Sequence, residues 1–209
     1  MKQILCVALL TFMATALFAQ HDKYVKAMES KISQMDSTKD VAGFIDLSNA
    51  FQRIGDAEKT QWLPYYYAAL CLTTGGWMDS KMDKDANAAK IKELCSKAEA
   101  IENNAELFAI LNMAATQQML VDPQTRWMTY GQEADAALKK GLALAPDNPR
   151  LYYLQAAGIF NTPEQFGGGK SKAKPVLEKA LTLYNAEKVK PLYPHWGKKQ
   201  TEDLLAQCN

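Results

Sequence analysis

Apolar residues recur along this chain at spacings of three and four, and glycine or proline interrupts them at intervals. Tyr24, Met28, Ile32 and Met35 form one such stripe in "YVKAMESKISQM". Phe44, Leu47, Phe51 and Ile54 form the next in "FIDLSNAFQRI". Side chains spaced this way share one face of a helix. No segment alternates apolar and polar over six residues, as a half-buried strand would. Helix-start signals agree. Asn148-Pro149 and Asp122-Pro123 each put a side-chain acceptor at the cap and a proline in the first turn. Ser37 and Asp40 have the spacing of a capping box, with Asp in place of Glu. The pattern predicts an all-α protein of about nine helices.

Later helices repeat one another. "LCSKAEAIENN", "ALKKGLALAPD" and "VLEKALTLYNA" share a small residue at Ala98, Gly141 and Ala180, steps of 43 and 39 residues. Upstream helices step by 43, from Tyr67 to Ile110 to Tyr153. Antiparallel helices approach to about 8–10 Å only where a side chain is small enough to admit a neighbour's ridge. Helix pairs at a near-constant period predict an α-solenoid over residues 61–186. Residues 20–60 then form a leading helical pair, and 187–209 a C-terminal cap with a short helix capped at Thr201.

These residues resemble the tetratricopeptide repeat family. Ala156, Ala173 and Ala180 stand at its small positions in the last repeat, and Ala134, Gly141 and Pro146 in the middle one. In the first repeat Ala98 fits, but Ile91 replaces a small residue and Asn103 the proline. The period exceeds that family's by several residues. The surplus falls in "TTGGWMDSKMDKD", "LVDPQTRWM" and "NTPEQFGGG", which predicts long loops inside each pair. The resemblance implies a scaffold that holds a protein or peptide in a groove. Tyr66, Tyr152 and Tyr153 are the candidate groove residues, because adjacent tyrosines on a helix point about 100° apart and one can face the groove.

The chain begins with Lys2 and the apolar run "ILCVALLTFMATALFA", ending at small residues. This is the pattern of a secretory signal peptide over residues 1–19, with cleavage after Ala19 and Ala16 as the second site. It predicts an exported protein, periplasmic or secreted, with no transmembrane segment in its mature part. Removal of Lys2 leaves 23 basic and 23 acidic residues. Residues 165–200 carry eight lysines against two glutamates. That segment is either a solvated lysine face or a surface by which a structural envelope subunit docks onto an anionic partner. No pattern for nucleic acid, metal or cofactor is present.

Cys71 and Cys95 are a candidate disulfide across neighbouring helices, or two small buried apolar residues. "GGGKS" at Gly167–Ser171 has the ending of a phosphate-binding loop, but Glu164 stands where the first glycine belongs. The glycines predict a bend between helices, with the next helix starting near Lys170 and Phe166 tucked against the pair. Lys170 and Lys172 at that start are candidate anion contacts. Asp83, Asp85 and Asn87 have calcium-loop spacing, but Ala88 and Leu94 remove the required glycine and bidentate ligand. No catalytic set is recognisable; His195 has no partner in the sequence.

Overall fold

The computed structural model describes residues 21–208, and the expected signal peptide lies outside them. Residues 21–37 form the first helix, α1. There follow α2 (Val41–Glu58), α3 (Leu63–Met78), α4 (Lys84–Glu99), α5 (Ala105–Met119), α6 (Pro123–Arg126), α7 (Gln132–Leu144), α8 (Pro149–Asn161), α9 (Lys170–Ala186) and α10 (Lys198–Ala206). Among the described residues there is no strand. No described helix is long and apolar enough to cross a membrane.

Helix pairs stack in chain order. Consecutive long helices pack on each other, and α5 also reaches α3 and α8 across the intervening helices, as an α-solenoid requires. The stripes point inward: Tyr24, Met28, Ile32, Phe44, Leu47 and Phe51 are all buried. Helix α3 is buried all round from Leu63 to Cys71, because α2, α4 and α5 each pack on a different side of it.

Side-chain caps set the helix starts. Asp83 accepts from the amides of Asp85 and Ala86 at 3.0 Å, the bond that takes the place of any calcium loop. Asp40 itself caps α2, accepting from Gly43 N at 2.8 Å. Ser37 belongs to the end of α1, where its hydroxyl donates to the Ser33 and Gln34 carbonyls, so the expected capping box does not form. At α10 the cap is Gly197, in the left-handed region, and Thr201 lies one turn inside, donating to the Gly197 carbonyl at 2.8 Å.

The small residues do the work expected of them. Ala98, Gly141 and Ala180 are buried. A Cβ on Gly141 would lie 2.8 Å from Leu151 Cδ1 and 3.1 Å from Phe108 Cβ. Gly141→Val is therefore expected to cost about 2 kcal/mol, roughly 4–8 °C in melting temperature, by overpacking the contact between α5, α7 and α8. Thermal unfolding followed by circular dichroism measures it.

Three loop expectations need correction. In the first repeat α3 runs on to Met78 and α4 starts at Lys84, so only residues 79–83 of the expected long loop lie outside a helix. In the middle repeat α6 runs through a π-helical stretch, Trp127–Gly131, into α7. Residues 120–122 form a short turn, and the rest of the surplus is helical, with the wider π-helical turns absorbing extra residues. The glycine segment is the expected bend, with Gly167 and Gly169 at φ +90° and +100°, and α9 starts at Lys170. Phe166, however, is 74% exposed. Gly168 sits so close to the end of α8 that a Cβ there would meet the Thr162 carbonyl at 2.2 Å.

Candidate functional site

Pro191 and Pro194 keep the chain between α9 and α10 from being helical. This segment is a strap that lies across α1, α3 and α8, the first helices of their pairs. The Tyr193 ring meets Trp62 edge-on at 5.7 Å, and Tyr67 donates its hydroxyl to the Leu192 carbonyl at 2.9 Å. Trp196 Nε1 donates to the Tyr66 hydroxyl at 2.7 Å, and its ring meets Tyr153 edge-on at 6.3 Å. His195 Nε2 stands 3.2 Å from both carboxylate oxygens of Asp36, an exposed partner 159 residues away in sequence. The C-terminal segment therefore covers the face where a groove was expected.

The predicted residues separate accordingly. Tyr66 is fully buried beneath Trp196, and burial pushes its hydroxyl pKa well up. Tyr153 joins it through the same indole. Tyr152 faces α9 instead: it donates to the Pro146 carbonyl at 2.9 Å and accepts from Lys179 Nζ at 2.8 Å. Lys170 lies 5.8 Å from the Phe160 ring centroid, and Lys172 donates to the Gly167 carbonyl at 3.1 Å. Both are engaged locally. Cys71 and Cys95 are free and buried, and burial pushes both thiols up to about 12. Such thiols are unreactive apolar filling.

A cleft of about 740 Å³ opens beside the strap, between the turn before α5, the turn before α8 and the end of α9. That volume lies within the range of small-molecule sites, roughly 300–1,000 Å³. Leu144, Pro146, Leu183, Val189 and Tyr193 give it apolar walls, and Lys188 and Lys190 stand exposed at its edge. Leu144 and Val189 are each 48% exposed, so the cleft presents apolar surface to solvent.

The floor is ionic, and two helix starts build it. Asn104 caps α5 and Asn148 caps α8, each accepting from the amide two residues on. Those next residues are Glu106 and Arg150. Arg150 Nε donates to both Glu106 oxygens at 2.9 Å, and Asn148 Nδ2 donates to Glu106 Oε1 at 2.6 Å. Arg150 also holds Glu187, donating through Nη1 at 3.2 Å and through Nη2. Burial holds the Glu106 carboxyl above its usual range, although Arg150 and Asn148 pull it down. Among the described residues no group of His, Cys, Asp and Glu gathers to hold a metal ion.

Neither the strap contacts nor this floor was foreseen. One signal was available: the two Asn caps lie one repeat apart, and each is followed two residues on by a charge, of opposite sign in the two repeats.

A solved structure of the HusA haemophore from Porphyromonas gingivalis is similar to this chain. The two share 36% sequence identity and a TM-score of 0.82, over 88% of this chain and 92% of that one. This chain belongs to the HusA haemophore family. No protein-family model matches the sequence, and no curated protein matches it.

Proposed function

We propose that this protein is an exported haem-binding carrier, and that the cleft beside the strap takes a tetrapyrrole. The supporting observation is the match between the cleft and the chemistry of that ligand. A haem is flat, apolar across its face and anionic along one edge. The walls at Leu144, Pro146, Leu183 and Val189 suit the face, and Lys188 and Lys190 suit the carboxylates. Tyr193 is the cleft's one side chain of a type that ligates haem iron. Kinship with a haemophore supports the same reading.

A helix-pair scaffold of the tetratricopeptide type carries the cleft in this proposal, but binding a peptide in the groove is the weaker reading. A peptide would have to displace Tyr193, Trp196 and the Leu192 carbonyl from the face they cover. Docking of a structural subunit through the lysine-rich segment is also less favoured, since Lys172 and Lys179 are engaged within the chain. Binding and release need no catalytic residues.

Titration of the chain from residue 20 with haem, followed by its absorbance, tests the proposal. One saturating site per chain is expected. Leu144→Asp, on the exposed lip, is expected to weaken binding by about tenfold or more, through lost apolar contact and repulsion of the carboxylates. Unchanged affinity in a folded Leu144→Asp variant would place the ligand elsewhere.

A further inference from the structure

Arg150 holds two carboxylates with one guanidinium, and the two are held unequally. The Glu106 side chain is 7% exposed and is gripped by both Arg150 and Asn148. The Glu187 side chain is 21% exposed, and among the described residues its side-chain hydrogen bonds go to Arg150. Glu187 is also the residue at which α9 ends and the strap begins. All three line the cleft.

Two carboxylates against one cation leave the floor with a net negative charge. That is the wrong sign for an anionic ligand, unless one carboxylate can leave. Glu106 is fixed by its helix start and its second partner. Glu187 is nearer water, and among the described residues its side chain is held by Arg150 alone. If it swings out, Nη1 and Nη2 of Arg150 present a two-pronged donor set, which is the geometry that carboxylates match best. An entering carboxylate keeps both hydrogen bonds and the charge of the floor unchanged, and Glu187 regains its hydration.

We propose that Glu187 is a built-in competitor: a carboxylate of the cleft's ligand displaces it from Arg150. This rests on the tetrapyrrole reading above and adds a specificity rule. The site selects ligands that carry a free carboxylate, and binding loosens the start of the strap. The apparent affinity of the wild type is lowered by the fraction of time that Glu187 occupies Arg150.

Protoporphyrin IX and its dimethyl ester are the probes, titrated into wild type, Glu187→Gln, Glu187→Ala and Asp147→Asn. Asp147 is an exposed acid of the same cleft, whereas the ion pairs of Arg150 go to Glu106 and Glu187, so Asp147 serves as the charge control. The wild type should prefer the free acid. Both Glu187 variants should bind the acid about tenfold more tightly than wild type and the ester no differently. Circular dichroism establishes that each variant is folded. Equal affinity of wild type and both Glu187 variants for the acid overturns the proposal. So does an equal gain for the ester, or an equal gain in Asp147→Asn, which would make the effect one of overall charge. If no protein binds either porphyrin, the tetrapyrrole reading falls as well. Binding by wild type without a gain in the variants sinks the exchange alone.

Discussion

Trp196→Ala is expected to destabilise the protein by about 4–5 kcal/mol, although residue 196 lies outside the repeats. Truncating a fully buried large aromatic costs about 3–5 kcal/mol, and the half-buried Trp196 belongs at the lower end of that range. Here the indole also satisfies the Tyr66 hydroxyl, which is fully buried and would lose its partner. An orphaned buried hydroxyl adds about 1–3 kcal/mol, partly relieved by water entering the vacated space. Trp196→Phe separates the terms: it keeps most of the packing and loses the bond, so about 1–3 kcal/mol is expected. Urea unfolding measures both. If the strap is part of the cooperative fold, the midpoint falls and the denaturant slope stays constant. A loss under about 1 kcal/mol for Trp196→Ala would show that the strap is a loosely attached tail.

Arg150→Met is expected to cost about 3–5 kcal/mol near neutral pH, because it leaves Glu106 and Glu187 facing each other with no cation. The loss should depend on pH with a definite sign. Burial already raises the folded pKa of Glu106 above its ordinary value. A carboxyl raised in this way contributes stability that is fully present below its unfolded value and is lost as pH rises through the folded value. Without Arg150 the folded value rises further. The deficit should therefore be largest near pH 7 and shrink toward about pH 4.5, as Glu106 takes up a proton. Adding Glu106→Gln to Arg150→Met should restore most of the stability at neutral pH, since it removes the buried charge. A deficit that stays flat with pH, or a double variant no better than the single, would assign the cost to lost packing of the arginine stem.

The architecture was readable because it is written locally and repeated. The stripe from Tyr24 to Ile32 and the spacing of Ala98, Gly141 and Ala180 each follow from helix geometry alone. Helix starts at Asn148 and Asp122 were legible because a cap acts on amides two or three residues away. Phe166 and the surplus residues of the first two repeats depart from the local pattern for the complementary reason. Whether a ring finds a pocket, or extra residues stay helical, depends on the surface they meet. Tyr66 was placed on a groove by its position in the repeat. The structure buries Tyr66 under residues 192–196.

The sequence by itself determined the helices, their period and the small contacts that let them stack, because each depends on residues within one or two turns or on a recurring spacing. Only the tertiary structure decided where binding can occur. It laid the strap across α1, α3 and α8, and it brought Glu106, Arg150 and Glu187 together at the floor of one cleft. Those contacts span from about 40 to more than 150 residues along the chain, and no local pattern of side chains encodes a meeting that depends on how the whole stack curves.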